Sequence, residues 1–149
     1  GEKLPFEDEY FDIITNRHGD YSVSELKRVL KKDGFFITQQ VGAENNKELI
    51  ELLLPENRGF SYSEHYLSVR QREISEQGFE ILESEETFQP IKFFDVGVLV
   101  WFAKIIEWEF PNFSVERHLE NLYKMQEIID KNGKVEGKIH RFYITVKKI

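Results

Sequence analysis

Cysteine is absent from the 149 residues, which excludes a disulfide framework, a thiolate metal site and a cysteine nucleophile. That absence accords with a cytoplasmic setting. Long apolar runs are absent too. The longest, Val96 to Ala103, falls far short of the roughly 20 residues of a membrane-spanning helix. Neither a membrane partner nor a signal peptide is therefore expected. Nor is there an excess of positive charge. A formal net charge of -7 argues against non-specific nucleic-acid binding, in which Lys and Arg neutralise phosphates and release counterions. No internal repeat, low-complexity tract or linker rich in Pro, Gly or Ser divides the sequence, so residues 1–149 read as a single domain.

What is present suits a packed core, with 13 Phe, 6 Tyr and 2 Trp supplying apolar bulk. Phe11-Asp12-Ile13-Ile14-Thr15 follows the acidic turn Glu7-Asp8-Glu9 and predicts a buried strand over 11–16. Ser22-Val23-Ser24-Glu25 has the form of a capping box and opens a short helix carrying Leu26, Val29 and Leu30. Lys31-Lys32-Asp33-Gly34 closes it, with glycine where the backbone must turn. A second strand then runs from Phe35 to Val41. Strand, helix and strand within about thirty residues make a crossover unit with parallel strands, so the fold class is α/β.

Further on, Asn45 to Leu54 predicts a short surface helix that stops at Pro55, and residues 64–77 predict another. Phe79 to Phe88 reads as a strand near a sheet edge. Asp95 to Trp108, apolar nearly all round, predicts a helix buried or packed on both sides. Ser114 to Lys131 predicts an amphipathic helix capped by Ser114, and His140 to Lys147 a final strand.

Leu4-Pro5-Phe6, Phe11-Asp12-Ile13-Ile14, Glu25-Leu26-Lys27-Arg28-Val29-Leu30-Lys31 and Gly34-Phe35-Phe36-Ile37 together resemble the middle motifs of the class I S-adenosylmethionine-dependent methyltransferases. The resemblance covers the first third of the chain in residues and the rest in element order. It implies the C-terminal half of a Rossmann-like sheet, with parallel strands, a final antiparallel strand and an inserted helical segment or lid over 89–133. The family's glycine-rich loop and ribose-binding acidic residue have no counterpart here. The resemblance therefore implies on the order of 100 further residues upstream, and weak or no binding of S-adenosylmethionine by this chain alone.

Ligands of open α/β sheets sit beyond the carboxyl ends of the strands. The polar cluster Asn16, Arg17, His18 and Gly19 follows the first strand, where the resemblance places the methionine end of the cofactor and the acceptor. His18 is suited to act as a base and Arg17 to grip a carboxylate; an ordinary polar loop is the rival reading. Leu4, Pro5, Phe6, Asn16 and Arg17 are the candidate cofactor contacts. Gln39, Gln40 and Gly42 end the second strand as candidate acceptor contacts, with a strand-end hydrogen-bond network as the alternative. Trp101 and Trp108 belong to an aromatic cluster suited to wall an apolar acceptor, or to form core. His65, His118 and His140 lack metal-ligand spacing, so no metal is expected.

The function implied is methyl transfer to a small-molecule acceptor by the whole protein. An RNA acceptor and a noncatalytic binding or dimerisation module are the competing readings. An unpaired edge at strand 11–16 further predicts self-association there.

Overall fold

A computed structural model describes residues 2–57 and 64–149. The elements are β1 (Phe11–Arg17), α1 (Val23–Val29), β2 (Leu30–Val41), α2 (Lys47–Leu53), α3 (Leu67–Glu76), β3 (Phe79–Phe93), α4 (Val96–Ile105), α5 (Leu119–Asn132) and β4 (Val135–Lys148). A single 3-10 turn, Pro55–Asn57, follows α2. The four strands form one sheet in the order β1-β2-β4-β3. β1 and β2 are parallel, and β2 and β4 are antiparallel. The chain divides into two compact units, one of residues 1–43, 62–87 and 140–149 and the other of residues 44–61 and 88–139.

In the first unit, strand alternation sorts the side chains. Phe36, Thr38 and Gln40 of β2 are buried, while Phe35, Ile37 and Gln39 are exposed. Register carries the buried face across to β4, where Phe36 lies opposite Val146, Thr38 opposite Ile144 and Gln40 opposite Phe142. Val23 and Leu26 of α1, Leu30, Phe79 and Ile74 of α3 complete this core. Each such Phe or Leu contributes about 1.5–3 kcal/mol on burial.

The second unit is built on Leu49, Ile50 and Leu53 of α2, Leu99 and Ala103 of α4, and Leu122, Met125 and Ile129 of α5. The spacing of the α5 residues puts them on one helical face. Gly133 ends α5 in the left-handed region at φ 81, its N–H bonded to the Ile129 carbonyl at 2.7 Å. Glu109 is buried beside two amides, accepting from Asn45 Nδ2 at 2.7 Å and Asn46 Nδ2 at 2.6 Å. His118 is buried, and its Nε2 lies 2.6 Å from Glu56.

Several sequence expectations are corrected. β1 is the expected edge strand, but it is not the buried strand expected: Ile13 is exposed because no element among the described residues covers its side of the sheet. The irregular start of β2 takes its positive φ at Asp33 (φ 62), not at glycine. Gly34 is needed for a different reason: a Cβ there would stand 2.8 Å from the Lys31 carbonyl oxygen and 3.1 Å from that of Asp12. Ser22 does cap α1, accepting from the Glu25 N–H at 3.4 Å, but the Glu25 carboxylate turns to Arg28 and Leu4 instead of closing the box. The cap residue of α5 is His118; Ser114, five residues before the helix begins, accepts from the Arg117 N–H instead. α4 is packed on one side only, since Val98, Trp101 and Ile105 are exposed.

Candidate polar site at the strand ends

β1 and β2 run in the same direction, so their carboxyl ends lie side by side and their terminal polar residues meet. Asn16 is opposite Thr38, and its Oδ1 accepts from the Thr38 hydroxyl at 3.1 Å and from Gln40 Nε2 at 2.8 Å. Gln40 Nε2 also lies 2.7 Å from Thr38 Oγ1 and 3.1 Å from the Gly19 carbonyl. A primary amide has two hydrogens. One goes to the Thr38 hydroxyl, which passes its own to Asn16; the other is shared by Asn16 and the Gly19 carbonyl. Thr38 and Gln40 are buried, where such closed networks are strengthened by the low local dielectric.

This network fixes the turn after β1. The His18 N–H extends the ladder to the Gln39 carbonyl at 2.9 Å, and His18 itself takes φ 56, a region that histidine tolerates better than most side chains. Arg17 and His18 are exposed, held by their backbone and free to meet a ligand. What desolvation His18 has lowers its pKa below the usual 6.5, and the charges of Arg141 and Arg17 add to the shift. The lowered pKa favours the unprotonated ring, the form a base must have.

The other candidates are placed differently. Gln39 faces away from Gln40 and is exposed, so the two amides do not act together. Gly42 is filled from within the chain: a Cβ there would overlap the His140 ring. His140 is buried and bonds Glu86 at 2.8 Å, while the same Glu86 oxygen accepts from the Leu67 N–H at 3.1 Å. Leu4 and Phe6 are exposed on a segment pinned to α1. Arg28 donates to the carbonyls of Phe6 (2.8 Å) and Leu4 (3.1 Å), to Asp8 (2.8 Å) and to Glu25 (2.7 Å), and Glu25 accepts from the Leu4 N–H at 2.7 Å. The pinned residues, with Lys3, Pro5 and Glu7, line an open cleft of about 580 Å³. Trp101 and Trp108 are exposed in the second unit. Among the described residues no group of His, Asp and Glu is arranged to hold a metal ion, and no helix is long and apolar enough to cross a membrane.

Sequence reading missed Thr38, Arg141 and Tyr21. Thr38 was legible as the start of the run Thr38-Gln39-Gln40, two residues before Gln40 on the same strand face. Arg141 reaches the site through β4, a strand distant in sequence. The Tyr21 hydroxyl is buried with no hydrogen-bond partner among the described residues, and burial raises its pKa.

No family model matches the chain, and no curated protein does. Solved structures do. A candidate methyltransferase from Bacillus halodurans C-125 is 22% identical over 98% of this chain and 68% of that one, with a TM-score of 0.60. The YcgJ protein from Bacillus subtilis is 24% identical over 98% of this chain and 67% of its own, with a TM-score of 0.51. A functionally unknown protein from Deinococcus radiodurans R1 is 11% identical over 100% and 56%, with a TM-score of 0.55. The fold is thus shared with these proteins, one of them a candidate methyltransferase, and the chain spans about two thirds of the length of the two Bacillus proteins (68% and 67%).

Proposed function

We propose that this chain is the acceptor side of an S-adenosylmethionine-dependent methyltransferase acting on a small molecule. The observation that carries the reading is the network of Asn16, Thr38, Gln40 and Gly19 at the carboxyl ends of two adjacent parallel strands, which presents Arg17 and His18 outward from a rigid turn. Methyl transfer from a sulfonium is an in-line displacement, so a protein accelerates it chiefly by holding the reactants in line and excluding water. A fixed turn serves that need better than a mobile one.

The described residues fit only part of the donor. Leu4 and Phe6 offer exposed apolar surface for a flat ring, with the Leu4 N–H and the Leu4 and Phe6 carbonyls already occupied by α1. Arg17 has the charge for the donor's carboxylate. Gly19 alone follows β1, so the described residues offer no glycine-rich turn to cradle the donor's ribose. S-adenosylmethionine, when bound, supplies an electrophilic methyl group. On this side, Arg17 orients a carboxylate and His18, unprotonated at Nδ1 or Nε2, accepts the acceptor's proton where one must leave.

The test is methyl transfer from labelled S-adenosylmethionine to metabolite pools and to RNA by the protein that carries this chain, with calorimetry of the 149-residue chain alone. Label in small molecules, with weak or absent donor binding by the chain alone, supports the proposal. Label in RNA alone, or in neither pool, removes it.

A further inference from the structure

α4 buries Leu99 and Ala103 but leaves another face open. Val98, Trp101 and Ile105 share that face by alternating three- and four-residue spacing, and Phe94 and Trp108 continue the alternation beyond each end. These five side chains are 51%, 63%, 50%, 68% and 63% exposed. From the usual size of aromatic and branched side chains the stripe offers on the order of 600 Å² of apolar surface, more than scattered surface residues account for. It is most of the roughly 800 Å² that each partner of a stable interface buries.

The charges flanking the stripe say what covers it. Lys92 and Asp95 lie before the helix or at its start, Lys104 in its last turn and Glu107 just after it. One antiparallel register of the helical residues sets Val98 against Trp101 of a second copy. The same register sets Asp95, the N-cap, against Lys104 of the last turn. Each pairing recurs by symmetry, and the helix dipoles oppose favourably. A bilayer fits less well, because the flanking charges are mixed and the chain's net charge of -7 repels anionic lipid. We propose that α4 is the seam of a twofold homodimer in which the two helices pack antiparallel. This does not rest on the methyltransferase reading.

Trp101 and Trp108 are the chain's only two tryptophans, so intrinsic fluorescence reports this seam directly. The wild-type chain is expected to sediment at twice 17.8 kDa, with tryptophan emission shifting to the red as dilution dissociates it. Trp101→Glu is expected to give the monomer. Lys104→Glu is expected to weaken the dimer several-fold, because it sets two acidic groups, Asp95 and the new glutamate, against each other across the seam. The proposal is overturned by a wild-type chain that stays at 17.8 kDa at every concentration. It is equally overturned by a dimer whose emission ignores dilution, that survives Trp101→Glu and that Ile13→Lys disperses, which would move the seam to the edge of β1.

Discussion

The ring of His140 occupies the space that a side chain at position 42 would need. The two residues come from strands nearly a hundred positions apart in sequence, joined in the ladder by the Gly42 N–H bonded to the His140 carbonyl at 2.9 Å. His140 is in turn held by Glu86, so its ring has nowhere to retreat.

Gly42→Ala is therefore expected to destabilise the fold by about 1–3 kcal/mol, the usual cost of forcing extra atoms into a packed site. Denaturant unfolding measures it. In a double-mutant cycle with His140→Ala, the penalty of the alanine at 42 should largely vanish, because the overlapping ring is gone. A Gly42→Ala protein as stable as wild type would show that the ring lies elsewhere.

Gln40 is the second test, because its amide is the donor on which Asn16, Thr38 and Gly19 converge. Gln40→Leu preserves size but leaves buried polar atoms of Thr38 and Asn16 short of a partner, at a cost of roughly 1–3 kcal/mol. The loss should be local as well as global. Amide exchange at His18 is expected to accelerate more than exchange within α3, since the turn after β1 loses its tie to β2. Uniform acceleration would mean that the network does not fix the turn.

The parallel pair β1 and β2 and its crossing helix were legible because each signal was local: a β-rich run, a Ser cap and a basic turn ending in glycine. The clustering of Asn16 with Gln40 was legible too, since parallel strands bring like ends together. What stayed hidden depends on long-range pairing. That Gly42 serves His140 and not a ligand requires β4 to lie beside β2. The half-exposed state of α4 was unreadable because a helix apolar all round carries no periodic signal to say which face meets the core. The role of Arg28 was hidden in a motif recognised only as a pattern: its guanidinium pins the Leu4–Phe6 segment to α1.

That pinning is sensitive to acid. The Glu25 carboxyl is held down to about 2 from its usual 4.5, chiefly by the Arg28 hydrogen bonds and then by the Leu4 N–H. A depressed carboxylate pKa means that the unfolded or detached state binds the proton more readily. The attachment is therefore fully present above pH 4.5 and is lost as pH falls towards 2. Glu25→Gln should mimic the acid state at neutral pH, with the Leu4 amide exchanging on the order of tenfold faster. Unchanged exchange in that variant would assign the pinning to Arg28 alone.

His18 titrates in the opposite chemical sense but with the same sign of linkage. Its pKa lies below 6.5 through desolvation first, then through Arg141 and Arg17. The protonated ring is disfavoured in the fold, so the unfolded chain takes up the proton first. The corresponding stability is present above 6.5 and is lost as pH falls through the window between 6.5 and the lower folded value. Proton NMR of the His18 ring should give an apparent pKa below 6.5, and Arg17→Gln should raise it by removing one of the two charges. If His18 is the base in the proposed reaction, turnover by the whole protein should fall on the acid side with that same apparent pKa. Arg17→Gln should then move the acid limb of the pH profile upwards, and His18→Ala should abolish it. A His18 pKa above 6.5, or an acid limb indifferent to both substitutions, would remove His18 from the chemistry and leave the polar turn as a purely structural tie between β1 and β2.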